Sequence, residues 1–136
     1  MKNDKPKLIG PMTLSEWDQK WVKVEGGLTV PQPQLRRKIG VFRVRLNGRV
    51  MFVGKVVEWP GGLAKRLADF DRPSSSGRNH YAGRLIHAHR HDLVVEVLIT
   101  NTDEHIEAFP GDLKTAMVRL HKPVWNARNA PGLGKV

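Results

Sequence analysis

Residues 39–54 read IGVFRVRLNGRVMFVG, and this stretch decides the fold. Two runs rich in β-branched and aromatic residues flank Asn47-Gly48, the dipeptide that most readily takes the two positive φ angles of a type I′ turn. The stretch therefore predicts an antiparallel hairpin. Side chains alternate along a strand, so Phe42, Val44 and Leu46 share one face of the first strand and Val41, Arg43 and Arg45 the other. The second face is expected to be partly wet and positive.

Downstream, a loop containing Pro60-Gly61-Gly62 leads into GLAKRLADF. Leu63, Leu67 and Phe70 recur there at i, i+4 and i+7, the spacing of an amphipathic helix that turns Lys65 and Arg66 away from its buried stripe. A basic loop, DRPSSSGRN, follows. Ser74 to Asn79 in it either line a phosphate through backbone N–H groups or form a plain polar loop, and their spacing is not that of a P-loop. A second helix is expected over about 79–91, carrying His80, Arg84, His87, Arg90 and His91. The run 93–100, LVVEVLIT, is the most apolar of the chain and predicts a central strand. Asp112 opens a third helix with Leu113, Ala116, Met117 and Leu120 inward, and Pro123 stops it.

Upstream, Thr13 and Glu16 have capping-box spacing ahead of Leu14, Trp17, Trp21 and Val22, which predicts a short amphipathic helix ending near Gly26-Gly27. Pro31 and Pro33 mark the next stretch as an extended connector. The expected organisation is a leader over residues 1–35, an α+β unit over 36–128 with helices on a three-stranded antiparallel sheet, and a flexible tail over 129–136.

Composition narrows the chemistry. The 136 residues include no cysteine, which excludes disulfides, thiolate metal sites and a cysteine nucleophile. No apolar run approaches a membrane span, and the N-terminus lacks the apolar stretch of a signal peptide, so an intracellular, cytoplasmic protein without membrane contact is the expectation. Net charge is +10 and unevenly spread: residues 36–92 hold thirteen Lys and Arg against four Asp and Glu, a net +9. Residues 1–35 hold five against four, and residues 93–136 five against five. One basic stretch of this kind attracts a polyanion, a nucleic acid first, or else docks an acidic protein.

Residues 39 to about 128 resemble a GIY-YIG nuclease domain. The first signature stands here as Gly40-Val41-Phe42 and the second as Phe52-Val53-Gly54, on paired strands with a tight turn between. GLAKRL matches the helix that carries the family's catalytic arginine, which falls on Arg66, and HKPVWN resembles the family's H-K-P-P-x-N ending, with its asparagine at Asn126. The resemblance implies a phosphodiesterase dependent on Mg²⁺ or Mn²⁺, in which tyrosine hydroxyls help activate water and a helix glutamate holds the cation. Three central positions depart from that pattern. Both tyrosines are phenylalanine, and the glutamate's place, seven residues before His121, is Lys114.

Elementary chemistry agrees with the consequence. One-metal hydrolysis needs oxygen ligands for a hard cation and a group that activates water. Phe42 and Phe52 supply neither, and Lys114 repels a cation while being able to grip a phosphate. Asp112, Glu107 and Glu58 are the carboxylates that could act as substitute ligands; His80, or Tyr81 as the only tyrosine, could supply the base or hydroxyl. His87 and His91 have zinc-compatible i, i+4 spacing, but cationic neighbours oppose that use. The expected function is nucleic-acid backbone binding, DNA first, by a nuclease-like domain that no longer cuts, through Arg43, Arg45, Lys65, Arg66, Arg84 and Lys114 and mostly without sequence preference. The alternatives are a working endonuclease with relocated ligands, using Arg66, Tyr81, His80 and Asn126, and a module whose basic face binds a protein.

Overall fold

In a computed structural model of the chain, the described residues are 7–72, 81–105 and 109–126. The hairpin is as expected: β4 (Ile39–Leu46) pairs antiparallel with β5 (Arg49–Val56). Asn47 has φ 52 and Gly48 φ 82, the two positive angles of a type I′ turn. β6 (Val94–Asn101) pairs antiparallel with the other edge of β4, from Ile39 opposite Asn101 to Arg45 opposite Val94. β4 is thus the central strand, with two long neighbours.

The sheet has four strands rather than the expected three. Val22–Lys23 forms β3 on the outer edge of β6, with Val22 opposite Val97 and Lys23 opposite Glu96. The leader also folds into a small hairpin of β1 (Leu8–Ile9) and β2 (Met12–Thr13) before α1 (Leu14–Trp17). The Thr13–Glu16 capping box is present in full. The helix stops after one turn, well short of Trp21. Tertiary contact outweighs the helical stripe here: the Trp21 ring lies under the Arg43 guanidinium, 4.3 Å from its centroid, which carries Val22 onto the sheet edge. The connector holds a short 3-10 turn at Pro33–Leu35, where proline at the first position needs no N–H partner.

Three further helices complete the fold: α2 (Gly62–Asp71), α3 (Tyr81–Ala88) and α4 (Phe109–His121). α2 and α3 pack on the face bearing Phe42, Val44, Val56, Val95 and Val97, through Leu63, Leu67, Phe70 and Ile86. α4 and Trp17 pack on the opposite face against Val41, Val53 and Leu98, through Leu113 and Met117. Each such side chain contributes roughly 1.5–3 kcal/mol when taken out of water. Val24, Leu28 and Leu35 also enter the first core, so residues before 36 are built into the same body rather than lying beside it.

Because both faces are covered, the Val41–Arg43–Arg45 face is not the wet, positive surface expected. Arg43 is only 7% exposed, and its Nε donates to Glu96 Oε1 at 2.6 Å. Asp18 and His121 complete that cluster, with His121 Nε2 2.7 Å from Asp18 Oδ1. Among the described residues no helix is long and apolar enough to cross a membrane.

Candidate nucleic-acid interface

The four signature positions form one packed unit on the α2 face. Phe42 is opposite Gly54 and Val44 opposite Phe52, so both rings fall on the same side of the hairpin. Phe42 is buried, with its ring 5.8 Å from Phe52 and 5.7 Å from Phe70. Gly54 is required by those rings, since a Cβ there would stand 2.7 Å from the edge of Phe42. Gly40 is required by the neighbouring strand, since its Cβ would meet the Leu98 carbonyl oxygen at 1.9 Å. The motif therefore serves packing: its glycines admit close approach and its aromatics fill the core.

Arg66 lies on the second turn of α2, about a third exposed, and its Nε donates to Glu58 Oε1 at 3.2 Å. Lys65 shares that carboxylate at 3.8 Å and also reaches Asp69 at 3.1 Å. Among the described residues, Glu58 is thus the candidate ligand that the fold brings beside Arg66. Asp112 is exposed in the first turn of α4, and Lys114 is half-buried on α4. Since α2 and α4 cover opposite faces, Arg66 and Lys114 leave the sheet on opposite sides. A hard divalent cation takes about six oxygen ligands. One carboxylate already shared by two cations does not fit that need, and no group of three or more His, Asp or Glu that could hold a metal exists among the described residues.

The remaining candidates have structural partners. Asn126, in the 3-10 turn Val124–Asn126, accepts from the Val53 N–H and donates to the Val53 carbonyl, both at 2.8 Å. Its amide imitates a neighbouring strand and closes the outer edge of β5. Tyr81 packs against the first core from the start of α3. His87 Nδ1 donates to the Phe70 carbonyl at 2.7 Å, while Arg90 faces its Nε2. α3 ends at Ala88, so His91 does not share a helical face with His87. Arg84 is exposed on α3, and Arg45 is bound to Glu96 and the Gly48 carbonyl. His80, Glu107 and the 74–79 loop lie outside the described residues.

The cations left without a carboxylate are mostly different ones. Eleven Lys and Arg side chains among the described residues form no ion pair, and five of them are Arg36, Arg37, Lys38, Lys55 and Lys114. These five gather at one end of the sheet. Lys38 immediately precedes β4, its carbonyl accepting from Leu63 N–H at 2.9 Å, and Arg37 N–H donates to the Pro60 carbonyl at 2.9 Å. Lys55 lies opposite Val41 near the end of β5, and its Nζ reaches within 3.5 Å of a Cβ position on Gly111, at the start of α4. Lys114 is one helical turn beyond Gly111 on the same side. Lys65 and Arg66 adjoin this group at the start of α2, so both helices begin at the end where the cations converge. The run Arg36-Arg37-Lys38 was the available signal in the sequence, but it reads there as connector. No protein-family model matches this chain, and no curated protein matches its sequence.

Proposed function

We propose that this protein binds nucleic acid through the phosphate backbone, using the basic end of its sheet, on a scaffold like that of the GIY-YIG nucleases with the hydrolytic groups replaced by packing residues. The observation that carries the proposal is the convergence of five unpaired cations, Arg36, Arg37, Lys38, Lys55 and Lys114, around the starts of α2 and α4. Such a field holds phosphates at many registers and carries no base code, so binding is sequence-tolerant. Buried Phe42 and the Lys114 side chain explain a loss of cutting, because neither gives a proton or a metal ligand. The contact of Glu58 with Arg66 favours a residual metal-dependent endonuclease as the second reading, but Lys65 competes for the same carboxylate.

The test is fluorescence anisotropy with a labelled oligonucleotide over a salt series. Log K should fall against log salt with a slope of about −3 to −5, for four or five neutralised phosphates. Lys38→Glu with Lys55→Glu should weaken binding at least about tenfold and flatten the slope by about two. A salt-independent affinity, or a double variant that binds like wild type, would contradict the proposal. Saturable binding of an acidic protein that oligonucleotide cannot displace would replace it with a protein-docking role.

A further inference from the structure

Of the four tryptophans, three are spoken for. Trp17 is buried and donates to the Ile9 carbonyl, Trp21 donates to Asp18 beneath Arg43, and buried Trp125 stacks on His89. Trp59 differs. It is partly exposed in the loop between β5 and α2 and belongs to neither core cluster. Among the described residues its indole N–H has no acceptor and its ring no aromatic or cationic partner. A side chain of this size on a loop normally buries itself or finds a partner.

Its loop is firmly held. Pro60 accepts from Arg37 N–H at 2.9 Å on one side of Trp59, and the Glu58 carbonyl accepts from Gly62 N–H at 3.0 Å on the other. These anchors set the backbone at Trp59 next to Arg37 and Lys38 and just before the Lys65–Arg66 turn of α2. The adjacent Glu58 carboxylate is neutralised by those two cations, so it does not repel a phosphate there.

The geometry points to Trp59 as a stacking platform for an unpaired base, which makes the partner of the basic end a single-stranded nucleic acid. Proteins that hold single strands combine a cationic track for the backbone with aromatic faces for successive bases. The bases of a duplex are already stacked on each other and cannot lie on a protein ring without being extruded. This inference rests on the proposed function and narrows its substrate class.

The experiment measures anisotropy of a labelled 15-nucleotide single strand of mixed sequence and of the same sequence as a duplex, each as DNA and as RNA. Wild type, Trp59→Ala and Trp59→Phe are compared as full-length chains, with circular dichroism confirming that each is folded. Wild type should prefer the single strand and quench tryptophan fluorescence on binding it. Trp59→Ala should weaken single-strand binding roughly 5- to 100-fold, with the salt slope and duplex binding unchanged, while Trp59→Phe keeps most of the affinity. A Trp59→Ala protein that binds the single strand as wild type does, or a wild type that prefers duplex, overturns this inference and leaves backbone binding standing. Failure of wild type to bind any probe overturns both.

Discussion

Placing a tyrosine at position 42, as in the GIY-YIG pattern the proposal invokes, should damage this protein rather than make it an enzyme. Phe42 is 1% exposed and sits between the rings of Phe52 and Phe70. The Phe42 ring lies directly over Gly54, its para carbon 2.8 Å from where a Cβ would stand, so the hydroxyl of Phe42→Tyr starts from a buried carbon shut off from water. A buried hydroxyl without a partner costs about 1–3 kcal/mol. For a domain of this length that lowers Tm by roughly 3–12 °C. Phe52→Tyr is the control, since Phe52 is only partly buried and its hydroxyl has a shorter way to water. Thermal unfolding followed by circular dichroism gives the stability of both variants, and plasmid nicking in Mg²⁺ gives activity. A Phe42→Tyr protein with the wild-type Tm and new metal-dependent nicking would refute the reasoning, because it would require the ring to face an open site rather than the core.

Three other outcomes are expected. Asn126→Ala leaves the Val53 N–H and carbonyl without their 2.8 Å partners, and should lower urea stability by about 2 kcal/mol; no change in the midpoint would mean another group closes that edge. Arg43→Ala strips Glu96 of a 2.6 Å partner inside a covered face and should cost about 3–5 kcal/mol, while the folded fraction binds nucleic acid with unchanged salt dependence, which the anisotropy titration checks. Hydrogen bonds from the Thr13 backbone and hydroxyl hold the Glu16 carboxyl below its ordinary range. The folded pKa being the lower one, the cap stabilises above the unfolded pKa and is lost as pH falls through the folded value. Amide protection factors across α1, corrected for the intrinsic pH dependence of exchange, should therefore fall in acid, and Thr13→Ala should remove that step; an unchanged profile would count against the cap.

The hairpin, the α2 stripe and the apolar third long strand are legible because period and turn chemistry are local. Asn47-Gly48 needs no distant partner to make its turn, and Leu63, Leu67 and Phe70 declare a face by spacing alone. What escaped was set by contacts across the chain. β3 is two residues long, and it is held to the sheet by the seating of Trp21 under Arg43 and by buried Val24, whose N–H donates to the Val95 carbonyl at 2.8 Å. Arg43 itself reads as surface until Glu96 is placed beside it, 53 positions away. A signal was present, since a lone carboxylate within LVVEVLIT has to find a cation if that strand is buried. The candidate interface was half legible for the same reason. Charge density marked residues 36–92, but which cations are free depends on where Glu58, Asp69 and Glu96 fall in space, and those carboxylates occupy Lys65, Arg66, Arg43 and Arg45. Trp59 carries no periodic signature, and only its exclusion from both cores draws notice.

The central claim is that this scaffold holds nucleic acid without cutting it, and a plasmid assay tests it most directly. Supercoiled plasmid is incubated with the protein in EDTA, Mg²⁺ or Mn²⁺, run both with and without protease treatment, beside Arg66→Ala and the Lys38→Glu, Lys55→Glu double variant. Retarded plasmid that is released intact by protease in every metal condition, with retardation lost in the double variant, is the predicted result. Metal-dependent nicking abolished by Arg66→Ala would contradict the account and show that the hydrolytic site has survived in a rearranged form.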